Sequence, residues 1–136
     1  MIEAKENFNN TWPFNPNFFS GNGFKQHYVD EGKENNKVIL CLHGEPTWGY
    51  IYRHFIKELS KNFRVVVPDL MGFGKSETPK NKEYSLKTHV ENLENLVNYL
   101  ELKNIYFVGQ DWGGPILGAY TLRNLTNTKG MFLINT

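Results

Sequence analysis

The 136 residues, 40% hydrophobic and 15% aromatic, have the size and apolar content of one globular domain with a single core. Fifteen basic and fourteen acidic residues leave a formal net charge of +1, which excludes a strong field for binding nucleic acid or an anionic membrane. No apolar run approaches the roughly twenty residues of a bilayer span, and the N-terminus lacks a signal-peptide core, so we expect a cytoplasmic protein with a small neutral ligand.

Residues 1–23 form the first distinct segment, rich in Asn, Pro and Phe and without a helix or strand period. We predict an irregular N-terminal arm whose aromatic side chains lie against the body of the domain. These side chains are Phe8, Trp12, Phe14, Phe18 and Phe19. The rest of the chain, 24–136, is predicted to be a single core domain.

Strands and helices alternate along residues 24–136. Predicted strands cover 27–30, 38–42, 63–68, 105–109 and 130–134. Predicted helices cover 48–59, a segment after a Ser85 N-cap with an apolar stripe from Leu86 to Leu100, and about 112–124. This alternation predicts an α/β fold with a mostly parallel sheet flanked by helices. The unbroken apolar run Val38–Leu42 indicates a sheet covered on both faces, with Cys41 as a small buried hydrophobe.

The loop Gly109-Gln110-Asp111-Trp112-Gly113-Gly114 joins a predicted strand to a predicted helix. It has the spacing of the G-x-S-x-G nucleophile elbow, with Asp in place of Ser. An aspartate with an ordinary pKa of about 3.9 is ionised at neutral pH, so Asp111 could attack an sp3 carbon without prior deprotonation and form an ester. Alternatively, the glycines serve only the turn and Asp111 caps the following helix. The spacing favours the nucleophile.

The loop His43-Gly44-Glu45-Pro46-Thr47-Trp48 follows a central strand. Hydrolases with a nucleophile elbow supply an N–H to the oxyanion hole from a loop at this place. We predict that the backbone N–H groups of Glu45 and Trp112 converge on the Asp111 carboxylate. His43 is interpreted as a structural hydrogen-bonding group that shapes the loop. Glu45 and Trp48 could equally line a pocket or pack against the next helix.

The loop Asp69–Ser76 ends in Gly-Lys-Ser, as a phosphate-binding loop does. The P-loop pattern requires glycine at position 69, and aspartate occupies it. This difference excludes nucleotide binding, and Gly72 and Gly74 are interpreted as turn residues.

Together these motifs resemble the haloalkane dehalogenases, a family of α/β-hydrolases. The resemblance covers essentially the whole chain and rests on Trp12–Asn17, His27–Gly32, His43–Trp48, Pro68–Ser76 and Gln110–Gly114. It implies that Asp111 attacks the halogen-bearing carbon of a small haloalkane while the Trp112 indole N–H holds the departing halide. It also implies that the Glu45 and Trp112 backbone N–H groups form the oxyanion hole, and that no metal or organic cofactor takes part.

In this family an acid and a histidine that activates water follow the nucleophile in chain order, and the sequence departs from that pattern. No His, Asp or Glu follows Trp112, and Asn135 stands near a position that is Glu in some branches of the family. The four histidines, His27, His43, His54 and His89, all precede Asp111. We therefore expect the N-terminal half of such a hydrolase, truncated before the cap domain and the C-terminal strands. We expect no turnover by this chain alone.

Two alternatives stay open. Epoxide hydrolases use the same elbow with Asp and often the same Trp, although Glu45–Trp48 favours a dehalogenase. A non-catalytic interaction module would instead use the open sheet edge to bind a partner or a second copy, and the unpaired final strand favours this alternative. The complete elbow opposes it, because such a module needs no strained nucleophile turn. Exposed apolar surface at the edge predicts self-association and marginal stability.

Overall fold

The computed structural model describes all residues, 1–136, and contains one six-stranded mixed sheet with three α-helices. The strands are β1 (Asn17–Phe19), β2 (Gln26–Glu31), β3 (Val38–Leu42), β4 (Arg64–Pro68), β5 (Ile105–Gln110) and β6 (Thr128–Ile134). The helices are α1 (Arg53–Leu59), α2 (Leu86–Tyr99) and α3 (Gly113–Arg123), with short 3-10 helices at Gly49–Tyr52 and Leu125–Asn127. This order confirms the predicted alternation of strands and helices.

The strands lie in the order β1-β2-β4-β3-β5-β6 across the sheet. Parallel pairing joins β4, β3, β5 and β6, whereas β2 pairs antiparallel with both β1 and β4. Leu40 of β3 pairs with Val66 of β4 on one side and with Phe107 of β5 on the other. Because these strands are parallel and in register, the loops that follow them meet at one edge of the sheet. The predicted mostly parallel sheet is confirmed.

Alternate residues of the central strands face two separate cores. Leu40, Val66 and Phe107 belong to a cluster of 16 buried residues that also contains side chains of α2 and α3. Ile39 and Val65 belong to a cluster of 9 buried residues that includes side chains of α1 and the N-terminal arm. Successive side chains of a strand point to opposite faces, so a sheet covered on both faces needs apolar residues at every position. All five residues of β3 are buried accordingly.

The N-terminal arm contains a strand that the sequence pattern did not predict. Asn17–Phe19 form β1, which pairs with β2. The strand was not predicted because three residues are too few for a period-two pattern to be recognised. Trp12 is only 1% exposed, and its ring centroid lies 4.9 Å from that of Phe14. The predicted packing of the arm's aromatic residues is therefore right for Trp12, whereas Phe8 stays partly exposed.

Two local predictions are confirmed and a third is refined. Ser85 caps α2 by accepting a hydrogen bond from the Thr88 N–H at 3.3 Å. Cys41 is completely buried, and burial raises the pKa of its thiol to about 12. The helix predicted over 48–59 begins instead with the 3-10 turn Gly49–Tyr52 before α1. None of the helices has the length and apolar character needed to cross a bilayer.

Candidate active site

Asp111 lies in the turn between β5 and α3. Its φ of +50° is in the left-handed region, which a non-glycine residue occupies only where the surrounding structure enforces it. The Asp111 carbonyl oxygen accepts hydrogen bonds from the Gly114 N–H at 3.0 Å and from the Thr136 hydroxyl at 2.6 Å. These bonds hold the strained turn and present the Asp111 carboxylate at the start of α3.

Two glycines allow this turn to approach the end of β3. A Cβ atom at Gly113 would collide with the carbonyl oxygen of Leu42. A Cβ atom at Gly44 would collide with the Asp111 side chain. Gly113, which the sequence pattern assigned to the turn, and Gly44 therefore provide the space in which the two loops meet.

One oxygen of the Asp111 carboxylate is held by two backbone donors. Asp111 Oδ2 accepts hydrogen bonds from the Glu45 N–H at 3.0 Å and the Trp112 N–H at 2.6 Å. Both donors hold the pKa of the Asp111 carboxyl below its ordinary value, and the Glu45 N–H has the larger effect. Asp111 Oδ1 makes no hydrogen bond within the chain. The structure thus brings together the three predicted site residues.

The alternative role of Asp111 as a helix cap has a specific geometric requirement. A capping side chain would accept a hydrogen bond from the N–H of a residue two or three positions later. Instead, the Gly114 N–H donates to the main-chain carbonyl of Asp111, and the Asp111 carboxylate faces the Glu45 and Trp112 N–H groups. The carboxylate therefore faces the loop that follows β3.

The Trp112 side chain is 47% exposed, and its indole N–H makes no hydrogen bond within the chain. Trp112 and Asp111 line an open depression of about 210 Å³ together with Pro115, Asn135 and Thr136. An indole N–H can only donate, so it is available to an anion or another acceptor in this depression. A larger depression, about 410 Å³, is lined by residues of the N-terminal arm and by Lys75, and does not include Asp111. The Asp111 carboxylate and the free indole N–H of Trp112 make the smaller depression the candidate site.

His43 is completely buried, and both of its ring nitrogens are occupied. Its Nε2 accepts a hydrogen bond from the Leu70 N–H at 2.8 Å, so Nδ1 carries the proton and donates to the Gly44 carbonyl oxygen at 2.8 Å. Burial lowers the pKa of the ring and keeps it neutral. The structural role predicted for His43 is confirmed, and this ring has no nitrogen free to act as a base.

The other three histidines have surroundings of their own. His27 pairs with Asp69, His89 is buried on α2 beside Tyr84, and His54 is exposed on α1. No histidine makes a hydrogen bond to Asp111.

Asp69 is the centre of a buried polar network that sequence reasoning missed. Its carboxylate accepts hydrogen bonds from the Gly49 N–H at 2.8 Å and the Lys75 N–H at 2.9 Å, and lies 2.9 Å from His27 Nδ1. Both Asp69 and His27 are fully buried. The available signal was an aspartate directly after a buried strand, because a buried carboxylate needs several donors. The network joins the loop after β4 to the 3-10 turn that follows Trp48.

The loop after β4 is a turn, as the sequence predicted. Gly72 and Gly74 have φ values of +90° and +56°, which favour glycine. The Lys75 side chain, which ends the Gly-Lys-Ser run, donates to the carbonyl oxygens of Ala4 and Glu6 at 2.8 and 2.6 Å. Lys75 therefore fastens the N-terminal arm.

Comparison with known proteins assigns the fold a family. Residues 37–136 match the family model described as the alpha/beta hydrolase fold. This chain belongs to the α/β-hydrolase fold family. A curated α/β-hydrolase relative, haloalkane dehalogenase 2 of Mycobacterium tuberculosis, is 39% identical over 125 residues, which are 92% of this chain and 43% of the relative.

A second curated relative carries a different name. Cis-3-alkyl-4-alkyloxetan-2-one decarboxylase of Shewanella oneidensis is 36% identical over 127 residues, which are 91% of this α/β-hydrolase chain and 39% of the relative. The chain thus spans less than half the length of the curated relatives it matches.

Solved structures give the same assignment. A haloalkane dehalogenase from Paraglaciecola agarilytica, described as tetrameric, superposes with a TM-score of 0.84 at 38% identity, over 89% of this chain and 43% of that one. An epoxide hydrolase from Vigna radiata superposes with a TM-score of 0.81 at 30% identity, over 88% of this chain and 39% of that one. The predicted resemblance to haloalkane dehalogenases and the predicted α/β-hydrolase fold are confirmed.

Proposed function

We propose that this chain carries the nucleophile and the oxyanion hole of a haloalkane dehalogenase-like hydrolase. The proposal rests on the hydrogen bonding of the Asp111 carboxylate. Its Oδ2 accepts hydrogen bonds from two backbone N–H groups, and its Oδ1 accepts none within the chain. In the first step, Oδ1 attacks the halogen-bearing carbon and forms a C–O bond. The carbon–halogen bond breaks, and the halide leaves with the electron pair. The Trp112 indole N–H donates to the departing halide.

The second step hydrolyses the resulting alkyl ester. Hydroxide, or water that loses a proton to a base, attacks Cγ of Asp111, and the negative charge develops on Oδ2. The N–H groups of Glu45 and Trp112 stabilise that charge. Collapse of the intermediate expels the alkoxide, which takes a proton to become the alcohol, and the carboxylate is restored. The base and the acid for this step are missing from these residues, so the chain alone stops at the ester.

Epoxides are the second candidate substrate, because an epoxide hydrolase shares this fold at 30% identity. Attack by Asp111 Oδ1 on an epoxide carbon would break the ring C–O bond and leave a hydroxyalkyl ester without releasing halide. The loop with Glu45 after the His43-Gly44 pair supports the dehalogenase. After separate incubations, a hydroxybutyl group on Asp111 from 1,2-epoxybutane would favour the epoxide hydrolase, and a butyl group from 1-bromobutane alone would favour the dehalogenase.

Halide release from 1-bromobutane tests the proposal. We expect a single burst of about one bromide per chain, because the ester is not hydrolysed without a base. Asp111→Asn should abolish the burst. Glu83→Gln, which removes an exposed carboxylate outside the depression at Asp111, should leave the burst unchanged. Sustained release of many bromides per chain would contradict the missing base, and absence of any burst would contradict the nucleophile.

We also propose that the chain associates with a second copy through the sheet edge, the feature that favoured a non-catalytic interaction module as the alternative. The outer strand β6 pairs only with β5, and its Phe132 and Leu133 are 62% and 47% exposed. An unpaired strand with exposed apolar side chains favours pairing with a second copy. Such binding should survive Asp111→Asn, whereas alkylation should not.

A further inference from the structure

The peptide unit between Gly44 and Glu45 is held from its carbonyl side. The Gly44 carbonyl oxygen accepts hydrogen bonds from His43 Nδ1 at 2.8 Å, from the Thr47 hydroxyl at 2.8 Å and from the Thr47 N–H at 3.1 Å. The N–H of the same peptide unit is that of Glu45, which donates to Asp111 Oδ2. In a planar trans peptide the C=O and N–H point in opposite directions. Fixing the carbonyl therefore fixes the direction of the N–H.

We propose that His43 and Thr47 are positioning residues of the oxyanion hole, because they aim the Glu45 N–H at Asp111 through the Gly44 carbonyl. The inference rests on the proposed function, of which the oxyanion hole is a part. The His43 ring is itself held in place, because its Nε2 accepts a hydrogen bond from the Leu70 N–H on the opposite side of the ring. The loop after β4 thereby fixes the ring that orients the hole.

Within its own loop, the hydrogen bonds that hold this peptide unit are the three to the Gly44 carbonyl oxygen. The Glu45 side chain is exposed and makes no hydrogen bond. Gly44 has no Cβ, so its backbone has the widest choice of conformations once the three bonds to its carbonyl are lost. A rotated peptide unit would turn the Glu45 N–H away from Asp111 Oδ2 and leave only the Trp112 N–H on that oxygen.

Two substitutions of Thr47 separate the hydroxyl from the methyl group. Thr47→Val keeps the shape and removes the hydroxyl, whereas Thr47→Ser keeps the hydroxyl and removes the methyl group. We expect Thr47→Val to raise the pKa of Asp111 toward its ordinary value and Thr47→Ser to leave it unchanged. NMR titration of the Asp111 carboxyl carbon measures the pKa, and the Glu45 amide shift reports the bond directly. A packing role for Thr47 would give the opposite order.

Substitutions of His43 test the second positioning residue. His43→Asn places an amide donor near the Nδ1 position, whereas His43→Gln places an amide oxygen near the Nε2 position. We expect His43→Asn to keep the lowered pKa of Asp111 and His43→Gln to lose it. Circular dichroism identifies any variant that fails to fold, and the Thr47 pair then decides the question because Thr47 is only partly buried.

Cleavage of the alkyl ester at Asp111 by hydroxide provides a chemical readout. The Thr47→Val ester should react roughly 2- to 10-fold more slowly than the unaltered one, the effect of losing one neutral hydrogen bond. The Thr47→Ser ester should react at the original rate. If no ester forms in any chain, the proposed function fails. The comparison of the Asp111 pKa between Thr47→Val and Thr47→Ser then decides alone whether Thr47 positions the Glu45 N–H. If the ester forms but Thr47→Val changes neither pKa nor rate, the positioning role is overturned and the proposed function stands.

Discussion

At the residue scale, the two N–H donors on Asp111 predict the pH dependence of alkylation. The Glu45 and Trp112 N–H groups lower the Asp111 pKa, so the nucleophile stays ionised below the range in which an ordinary aspartate titrates. The burst rate with 1-bromobutane should therefore stay above half of its neutral-pH value at about pH 3.9, where an ordinary aspartate is half protonated. A rate that falls to half of its neutral-pH value at about pH 3.9 or above would contradict this account.

The same lowered pKa has a consequence for stability. A carboxylate whose pKa is lower in the folded chain stabilises the fold above its unfolded pKa, and this contribution is lost as pH falls through the folded pKa. Asp111→Asn should therefore weaken the dependence of unfolding free energy on pH in the acidic range below about pH 4. Urea titrations of both chains at several acidic pH values measure this difference. Identical pH dependence would indicate that Asp111 has an ordinary pKa.

Lys75 predicts how the N-terminal arm is held. Its ammonium group donates to two carbonyl oxygens of the arm, at Ala4 and Glu6, while the residue is only 1% exposed. Lys75→Met keeps the apolar stem but leaves both carbonyls without this donor, at a cost of about 1–3 kcal/mol. Chymotrypsin should then cleave after Phe8 faster than in the unaltered chain. The exposed Lys80→Met should show the original rate, and equal rates in all three chains would refute the role of Lys75.

At the element scale, two glycines of α3 predict opposite effects on stability. An alanine Cβ at Gly113 would collide with the Leu42 carbonyl oxygen, whereas nothing lies within 4 Å of a Cβ at Gly118. Gly113→Ala should lower the unfolding free energy by about 1–3 kcal/mol, the usual cost of overpacking. Gly118→Ala should raise it by roughly 0.5–1 kcal/mol, because alanine is the better helix former. Urea denaturation measures both, and a neutral Gly113→Ala would show that the elbow packs more loosely.

The elements differ in how well the sequence predicted them, for physical reasons. Strand β3 was predicted residue for residue and β5 to within one residue, because a doubly covered sheet requires unbroken apolar runs. Strand β1 was missed because it has three residues and depends on pairing with β2. The 3-10 turn Gly49–Tyr52 was predicted as α-helix, because the sequence pattern does not show that its first N–H, at Gly49, donates to the Asp69 carboxylate twenty residues away.

The site shows the same division between local and distant information. Asp111 and its glycines form a local pattern with a fixed spacing, so the turn could be predicted. The approach of Glu45 was inferred from the loop's position after a parallel strand, and the structure places its N–H on Asp111. The Asp69 network could not be predicted, because its donors at His27, Gly49 and Lys75 come from separate segments that only the fold brings together.

At the scale of the whole molecule, β6 is the outer strand on the side of the candidate site. Phe132 lies on β6 with 62% of its surface exposed, so association should proceed through this strand. Phe132→Lys should shift the chain toward monomer in light scattering across a concentration series, because a charged side chain opposes pairing at the edge. Leu86→Lys, at an exposed residue of α2, should not change the mass. A chain that is monomeric at every concentration would contradict self-association.

The position of the covalent adduct tests the central claim most directly. After incubation with 1-bromobutane, proteolysis and mass spectrometry should locate one butyl group on Asp111, in an amount equal to the bromide released. Asp111→Asn should carry no butyl group, and Glu83→Gln should carry it at Asp111 as before. A butyl group spread over surface carboxylates, or an unmodified Asp111 after bromide release, would contradict the assignment of Asp111 as the nucleophile.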